Sequence, residues 1–138
     1  MEIDRCRRIK RTIKQMKVIL DTNMLMTPEQ FGINLFSELD RVINKKYQPI
    51  LPKSILNEIQ NIYENGKGEN KRAASIALDL INDCEIIETE EEGDDAIMEV
   101  AKKYESAVAS NDSELIKRLK NNNIPVIILR QQSHLEMN

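Results

Sequence analysis

Cysteine, histidine, glycine and tryptophan are scarce in this sequence, and each shortage narrows the chemistry available to the protein. Its 138 residues include two cysteines, one histidine, four glycines and no tryptophan. Cys6 and Cys84 are too few and too isolated to build a disulfide framework or a thiolate zinc site. The single histidine, His134, lies in a polar stretch where we expect a surface residue and not a catalyst. The sequence contains no glycine-rich phosphate loop, which argues against nucleoside-triphosphate chemistry.

Long apolar runs and aromatic residues are also missing. No apolar run reaches the roughly 18 residues that a membrane-spanning helix needs, so we expect no membrane partner. The basic N-terminal segment lacks the apolar stretch of a secretory signal, and we therefore expect a cytoplasmic protein. Aromatic residues make up 4% of the chain, so base stacking is expected to be minor. Phe31, Tyr63 and Tyr104 fall on apolar helical stripes, where we expect them to pack in the core.

Charge is unevenly distributed along the chain. Residues 1–17 hold seven basic and two acidic side chains, which is a net charge of +5. The other residues sum to −8, and residues 85–99 contain eight acidic residues and no basic one. A basic arm on an acidic body suits a protein that attracts a polyanion with one part and metal ions with another. Both runs are equally compatible with plain solvated surface, and charge alone leaves that alternative open.

Short apolar runs alternate with longer segments of helical periodicity. The predicted strands are residues 17–21, 48–51, 84–88, 107–110 and 125–129. The predicted helices span about residues 28–43, 52–62, 70–82, 95–104 and 112–120. This alternation predicts βαβ units, and thus a three-layer α/β/α sandwich with a central parallel sheet of four to five strands. We divide the chain into a basic arm (residues 1–16), one folded domain (17–130) and a flexible tail (131–138).

Four carboxylates stand at or just after the carboxyl ends of the predicted strands. They are Asp21, Glu58, Asp95 and Asp112. In open parallel sheets, ligands bind at this edge, so the four side chains are expected to share one cleft. Their mutual repulsion would be relieved by bound cations, and an oxygen-only set favours Mg²⁺ or Mn²⁺ over zinc.

Each carboxylate also has an ordinary explanation. Asp95 (or Asp94) and Asp112 could simply cap the helices that follow them, because Asp is a favoured N-cap residue. Glu58 lies at the border of an apolar helical face and is equally well explained as a surface glutamate. Asp21 is the hardest to explain away, because it ends an apolar strand and is followed by Thr22 and Asn23. The hypothesis of a site therefore depends on the joint placement of the four residues.

Four segments of the chain resemble the PIN-domain family. Residues 17–26 contain Asp21-Thr22-Asn23 after the first strand, as the family's opening does, and residues 54–59 resemble its second acidic motif at Glu58. In residues 93–98, the aspartate directly before Ala96 matches the third motif, which favours Asp95 over Asp94. Residues 108–115 resemble the fourth motif through Ser110, Asn111 and Asp112. The resemblance extends over residues 17–129.

The resemblance implies a Mg²⁺- or Mn²⁺-dependent endoribonuclease that hydrolyses single-stranded RNA and leaves 5′-phosphate and 3′-hydroxyl ends. Asp21 and Asp112 would ligate metal directly, Asp95 would share a metal or reach it through water, and Glu58 would be a ligand or orient a metal-bound water. The remaining motif residues would support them: Thr22, Asn23, Asp94, Ser110 and Asn111. Asn23 would also touch the scissile phosphate.

Within the family, residues 24–32 and the basic segment are more similar to archaeal relatives of the PIN nucleases of ribosomal-RNA processing. Toxin ribonucleases, each held by an antitoxin, form the competing branch, and an inactive PIN-fold RNA- or protein-binding module is a third interpretation. A homodimer and a ribosome-assembly partner are further expectations that follow from the resemblance.

Contact with RNA is expected outside the acidic cleft. The candidate phosphate-binding residues of the arm are Arg5, Arg7, Arg8, Lys10, Arg11 and Lys14. Lys45, Lys46 and Lys53 are expected at the rim of the cleft. The arm could also be a helix that docks on the body, because Ile3, Cys6, Ile9 and Ile13 partly share a face.

Overall fold

A six-stranded sheet forms the centre of the structure, a computed structural model that describes residues 16–138. The strands are β1 (Met16–Leu20), β2 (Tyr47–Pro52), β3 (Glu85–Ile87), β4 (Ser106–Ala109), β5 (Val126–Arg130) and β6 (His134–Met137). The helices are α1 (Thr22–Leu25), α2 (Thr27–Phe31), α3 (Leu35–Ile43), α4 (Lys53–Asn65), α5 (Glu69–Ile81), α6 (Gly93–Lys103) and α7 (Ser113–Asn121). Residues 1–15 of the basic arm, which include its six predicted RNA-binding residues, lie outside the described residues.

The strand order is β3-β2-β1-β4-β5-β6, with β1 to β5 parallel and β6 antiparallel to β5. This arrangement confirms the predicted α/β fold with helices around a parallel sheet, and adds one strand to it. Strands β2 and β3 lie on one side of β1, and the next two strands along the chain, β4 and β5, lie on its other side. The boundary between β1 and β4 is therefore the topological switch point, where the strand order reverses. Open α/β sheets bind ligands at such points.

The two strands at this boundary are buried on both faces. Val18, Ile19 and Leu20 of β1 have no exposed surface, and the same is true of Ala107 and Val108 in β4. Successive side chains of a strand point to opposite faces, so burial of consecutive residues requires helices on both sides of the sheet. The boundary strands are thus firmly held in the core, which suits a scaffold for a site.

The segment after β1 differs from the single helix predicted over residues 28–43. It forms α1, α2 and α3, with α2 ending at Gly32 in the left-handed conformation (φ 65°) and α3 beginning after Asn34, whose side chain accepts the N–H of Ser37. Glycine adopts a positive φ without strain and Asn is a strong N-cap, so these two residues break the helix. The helix is therefore interrupted at Gly32 and Asn34, although the apolar stripe continues across them.

The C-terminal residues also differ from the predicted flexible tail. They turn back after Arg130 and pair with β5 as β6, and Leu135 is fully buried. Its backbone N–H donates to Glu38 and its carbonyl accepts from Arg41, both on α3. The outer edge of β6 is therefore covered by α3, which explains why so polar a segment is ordered.

None of the helices in residues 16–138 has the length and apolar character needed to span a membrane.

Candidate active site

Strand pairing brings the ends of β1 and β4 together at the carboxyl edge of the sheet. Leu20 is in register with Ala109, and the N–H of Asp21 continues the ladder by donating to the carbonyl of Ala109 at 3.2 Å. Asp21 and Ser110 are the next residues of their chains, so the register alone makes them neighbours. The first and fourth motifs, which are far apart in sequence, are thus neighbours at the point where the strand order reverses.

Asp21 is the most buried carboxylate of the site, with 6% of its surface exposed. Its Oδ1 accepts the N–H of Thr22 at 2.7 Å and its Oδ2 accepts the Ser110 hydroxyl at 2.8 Å. Burial raises the pKa of Asp21, and the negative charges of Asp94 and Glu58 add to that rise, while the two hydrogen bonds oppose it. Burial and the neighbouring carboxylates thus disfavour the ionised form of Asp21.

Ser110 links Asp21 to Asp112. Its hydroxyl is fully buried, donates to Asp21, and accepts the backbone N–H of Asp112 at 3.1 Å. Asp112 in turn caps α7, with Oδ1 accepting the N–H groups of Glu114 and Leu115. The capping alternative is therefore correct for Asp112, but it uses one of the two carboxylate oxygens and is compatible with a second role for the other.

Thr22 links Asp21 to Glu58 in a similar way. The Thr22 hydroxyl, on a residue only 6% exposed, donates to Glu58 Oε2 at 2.9 Å. This bond ties the first turn after β1 to α4, which follows the neighbouring strand β2. Beside Glu58 lies a recess of about 310 Å³ between α4 and the start of α6, and Ser54 lines it. The Ser54 hydroxyl is buried and has no hydrogen-bond partner among residues 16–138.

The two adjacent aspartates of the third motif have different surroundings. Asp95 is exposed, and its Oδ1 accepts from Arg118 of α7 at 2.9 Å. Asp94 is half-buried, and burial followed by the nearby charge of Asp112 raises its pKa. The charge of Asp94 also contributes to the raised pKa of Asp21, so Asp94 lies within electrostatic range of both Asp21 and Asp112. The structure thus couples Asp21 with Glu58 and Asp94, and Asp94 with Asp112, through their charges, whereas Asp95 pairs with Arg118.

The helical periodicity of α6 contains the signal that distinguishes these two aspartates. Asp94 lies three, four and seven positions before Ile97, Met98 and Ala101, all of which are buried, whereas Asp95 lies four positions before the half-exposed Glu99. Residues at those spacings share a helix face. Register against the family motif favours Asp95, but the helix face that packs on the sheet edge carries Asp94.

Three further predicted residues occupy the same edge. Asn23, in the first turn of α1, is exposed next to the buried Thr22. Asn111 is exposed between Ser110 and Asp112, and its Oδ1 accepts the N–H of Leu129 at 3.2 Å. Lys53 begins α4 and pairs with Glu88 at 3.3 Å. Lys45 and Lys46 instead precede β2, so they stand at the opposite edge of the sheet, where they border a groove with Asp40 and Asp83.

The donor chemistry of the four carboxylates fits a hard divalent cation. All the donors are oxygens, and the pKa of both Asp21 and Asp94 is raised first by burial and further by neighbouring carboxylates, an effect that a bound cation would oppose. In the part of the chain that the structure describes, no three acidic, histidine or cysteine side chains lie close enough to hold a metal ion as they stand. The residues are thus of the right kind and on the right edge, without forming a closed cage.

Comparison with known proteins identifies the fold and its relatives. Residues 18–132 match the family described as PIN like domain. The chain is 34% identical over 125 residues to Ribonuclease VapC4 of Methanocaldococcus jannaschii, an alignment that covers 88% of this chain and 95% of that protein. It is 30% identical over 135 residues to Ribonuclease VapC9 of Archaeoglobus fulgidus, which covers 98% of this chain and 96% of the relative.

Solved structures show the same architecture. The PIN domain endonuclease Utp24 superposes with a TM-score of 0.72 and 24% identity, over 88% of this chain and 90% of that one. VapBC2 from Rickettsia felis, solved with a DNA fragment from its promoter, superposes with a TM-score of 0.56 and 14% identity, over 83% of this chain and all of that one. At these identities the structural likeness establishes the fold and nothing more specific.

Proposed function

The chain belongs to the PIN-like domain family, and from this premise we propose that it is a metal-dependent endoribonuclease acting on single-stranded RNA. The proposal depends on one observation above the others. Asp21 is buried at the reversal point of the sheet, where the negative charges of Asp94 and Glu58 act on it, and the charge of Asp112 acts on Asp94, which supports a site that collects negative charge. The names of the two ribonuclease relatives support the substrate class.

Asp21, Asp94 and Asp112 are the residues that we assign to hold the cation, with Glu58 as a fourth ligand or as the acceptor that orients a water. A bound Mg²⁺ or Mn²⁺ supplies Lewis acidity, which lowers the pKa of a water and neutralises charge that develops on the phosphate. The chain's own contribution is orientation. Ser110 and Thr22 hold one oxygen each of Asp21 and Glu58 through hydrogen bonds of 2.8 and 2.9 Å, so the free lone pairs have fixed directions.

The positions of Asn23 and Asp95 suit supporting roles. Asn23 is an exposed amide one residue from Thr22, and we assign it to the scissile phosphate as a hydrogen-bond donor. Asp95 holds Arg118 next to Asp94, as the effect of Arg118 on the Asp94 pKa indicates. Arg118 therefore limits repulsion within the cleft without occupying a ligand position.

The test incubates single-stranded RNA with the protein and Mn²⁺ or Mg²⁺, next to the same reaction in a chelator. We expect cleavage that needs the cation, that leaves 5′-phosphate ends, and that an Asp21→Asn variant abolishes. Cleavage of equal rate by the wild type and the variant would identify a contaminating nuclease. Absence of cleavage by either under both metals would favour an RNA- or protein-binding module without catalysis.

A second candidate function is a toxin ribonuclease that is held by a small antitoxin. Both curated relatives carry VapC names, and a VapBC assembly is among the similar structures, so this candidate has more support than a role in ribosomal-RNA processing. The structural likeness to Utp24 supports the latter only at the level of fold. A neighbouring reading frame for a short DNA-binding protein that co-purifies with this chain and inhibits it would decide for the toxin; an isolated gene would decide against it.

A further inference from the structure

Strand β5 extends past the end of β4 at the same sheet edge that carries the carboxylates. The two strands pair through Val108↔Val126 and Ala109↔Ile127, and β5 then continues to Arg130 without a β4 partner. Asn111 takes over the pairing, because its side-chain oxygen accepts the N–H of Leu129 at 3.2 Å. The overhang forms a shelf at Asn111, the residue directly before Asp112.

This shelf holds a pocket of about 350 Å³, which we call the shelf pocket. Its lining includes Phe31, Asn111, Ile116, Leu129, Gln131 and Gln132. Its aliphatic lining residues Ile116, Ile128 and Leu129 are half-buried and form an apolar floor, while Phe31 is 38% exposed, contrary to the core position expected from its helical stripe. An exposed aromatic ring in an apolar pocket that includes Asn111, the residue directly before the proposed ligand Asp112, is not accounted for by the packing of the fold.

The rim of the shelf pocket consists of three carboxamides and no charged side chain. Asn111 uses its oxygen on Leu129, and among residues 16–138 no hydrogen bond uses its amide nitrogen or the side chains of Gln131 and Gln132. A phosphate would require cations here, and an aliphatic side chain would not require three amides. A nucleobase fits both features, since it has flat apolar faces and an uncharged edge of donors and acceptors.

The turn that presents the two glutamines has an unfavourable backbone. Gln131 and Gln132 have φ of 54° and 55°, and the N–H of Ser133 bonds to the carbonyl of Arg130 at 3.0 Å, which closes a β-turn within the three-residue connection between Arg130 and its strand partner His134. Turns with two positive φ values normally use Asn-Gly, because side chains beyond Cβ crowd the left-handed region. Strain of this kind, retained where side chains line a pocket, is an indicator of function.

We propose that the shelf pocket binds one unpaired nucleobase of the RNA close to the scissile phosphate, with Phe31 as the stacking surface and the carboxamides as the reading groups. The proposal rests on the proposed nuclease function. It makes the pocket a source of sequence preference, since the pattern of amide donors and acceptors differs in its fit to each base edge. Only unpaired RNA offers such a base, which matches the single-stranded substrate.

The test measures coupling between Phe31 and one base of the substrate. A cleaved RNA is compared with versions in which each nucleotide near the cut is made abasic in turn, using the wild type and Phe31→Leu. Tyr63→Leu is the matched control, because Tyr63 is equally exposed (39%) but lies on α4 outside the shelf pocket. Binding of the same RNAs to Asp21→Asn and to Asp21→Asn/Phe31→Leu is measured in parallel by fluorescence anisotropy.

We expect one abasic position to lower wild-type kcat/KM about tenfold, and Phe31→Leu to remove that sensitivity while Tyr63→Leu retains it. Cleavage with no position coupled to Phe31 would overturn the shelf proposal and leave the nuclease function standing. Coupling in binding without any cleavage would do the reverse. A Phe31→Leu variant that shows no coupling but loses a dimer seen by light scattering would assign the pocket to contact between copies, and the nucleobase proposal would fail.

Discussion

At the scale of single residues, the metal assignment depends on which of two adjacent aspartates faces the site. Asp94 is half-buried and its charge acts on Asp21, while the charge of Asp112 acts on Asp94; Asp95 is exposed and paired with Arg118. The two side chains point in directions about 100° apart around the helix axis, so we expect substitutions at Asp94 and at Asp95 to have different effects on cleavage.

We predict that Asp94→Asn lowers kcat by about 100-fold or more, because a ligand of the cation is lost and several kcal/mol of transition-state stabilisation go with it. Asp95→Asn should change kcat less than about fivefold, as expected for an exposed ion pair. Single-turnover cleavage with saturating Mn²⁺ measures both. The reverse order of effects would restore Asp95 as the ligand and would mean that α6 is rotated in the active state.

Cys84 offers a prediction that is independent of catalysis. Burial, and to a smaller extent the charge of Asp83, raises the pKa of its thiol to about 12 from an ordinary 9.0. The folded state therefore favours the protonated thiol. The resulting stabilisation is complete below pH 9 and is lost as the pH rises from 9 toward 12.

In a Cys6→Ser variant, which leaves Cys84 as the one thiol, we expect alkylation by iodoacetamide at pH 8 to be slow in the native protein and fast in denaturant. The thiolate is the reacting species, and the native protein holds very little of it at that pH. Equal rates in the two conditions would show that the thiol is neither buried nor shifted.

At the scale of secondary-structure elements, the sequence is sufficient for the regular parts of the fold and insufficient for its ends. The five parallel strands are predictable within a residue or two, because each is a short apolar run between helical periodicities. The break at Gly32 and Asn34 escapes prediction because the apolar stripe continues across it. Strand β6 escapes prediction because its pattern is polar and its order comes from Glu38 and Arg41, which are distant in sequence.

The candidate site also has a part that the sequence predicts and a part that it does not. The positions of Asp21, Ser110 and Asp112 follow from strand ends and parallel pairing, which sequence reasoning handles well. The choice between Asp94 and Asp95 depends on rotation of a helix about its axis, and a one-residue difference in register changes it.

Two other expectations depend on the path of the chain in space. Lys45 and Lys46 are expected from the sequence at the rim of the cleft, but they precede β2 and thus belong to the opposite edge. The exposure of Phe31 cannot be predicted from its helical stripe, because it depends on the position of α2 relative to β5 in the folded chain.

The order of β6 leads to a stability prediction. Leu135→Ala should lower the free energy of unfolding by about 2–5 kcal/mol, since Leu135 is fully buried and the truncation leaves a cavity. Met137→Ala, on the same strand but 45% exposed, should change it by less than about 0.5 kcal/mol. Urea denaturation followed by circular dichroism gives both values. Two equally small effects would return residues 131–138 to the flexible tail that their sequence predicts.

At the scale of the whole molecule, the proposed function requires an acidic cleft to act on RNA, which is a polyanion. The described body is strongly acidic, whereas residues 1–17 carry a net charge of +5. We propose that the arm supplies phosphate contacts through Arg5, Arg7, Arg8, Lys10, Arg11 and Lys14. Separation of the two charges along the chain would let RNA be attracted at one place and hydrolysed at another.

Deletion of residues 1–16 should therefore weaken RNA binding and flatten its dependence on salt. For single-stranded RNA, each phosphate that the protein no longer neutralises reduces the slope of log K against log salt by about 0.7. Titrations of RNA into the Asp21→Asn protein, with and without the arm, across a range of NaCl concentrations measure this. An unchanged slope would remove the arm from the binding surface, and the described body would have to supply the phosphate-binding groups.

The central claim is that the carboxylates at the junction of β1 and β4 hold a divalent cation. Titration of Mn²⁺ into the protein by calorimetry tests it without knowledge of the RNA target, with Asp21→Asn and the exposed Asp79→Asn as matched variants. We predict that the wild type and Asp79→Asn bind Mn²⁺ alike and that Asp21→Asn loses the binding while keeping its circular dichroism spectrum. Equal Mn²⁺ binding by all three proteins would contradict the claim.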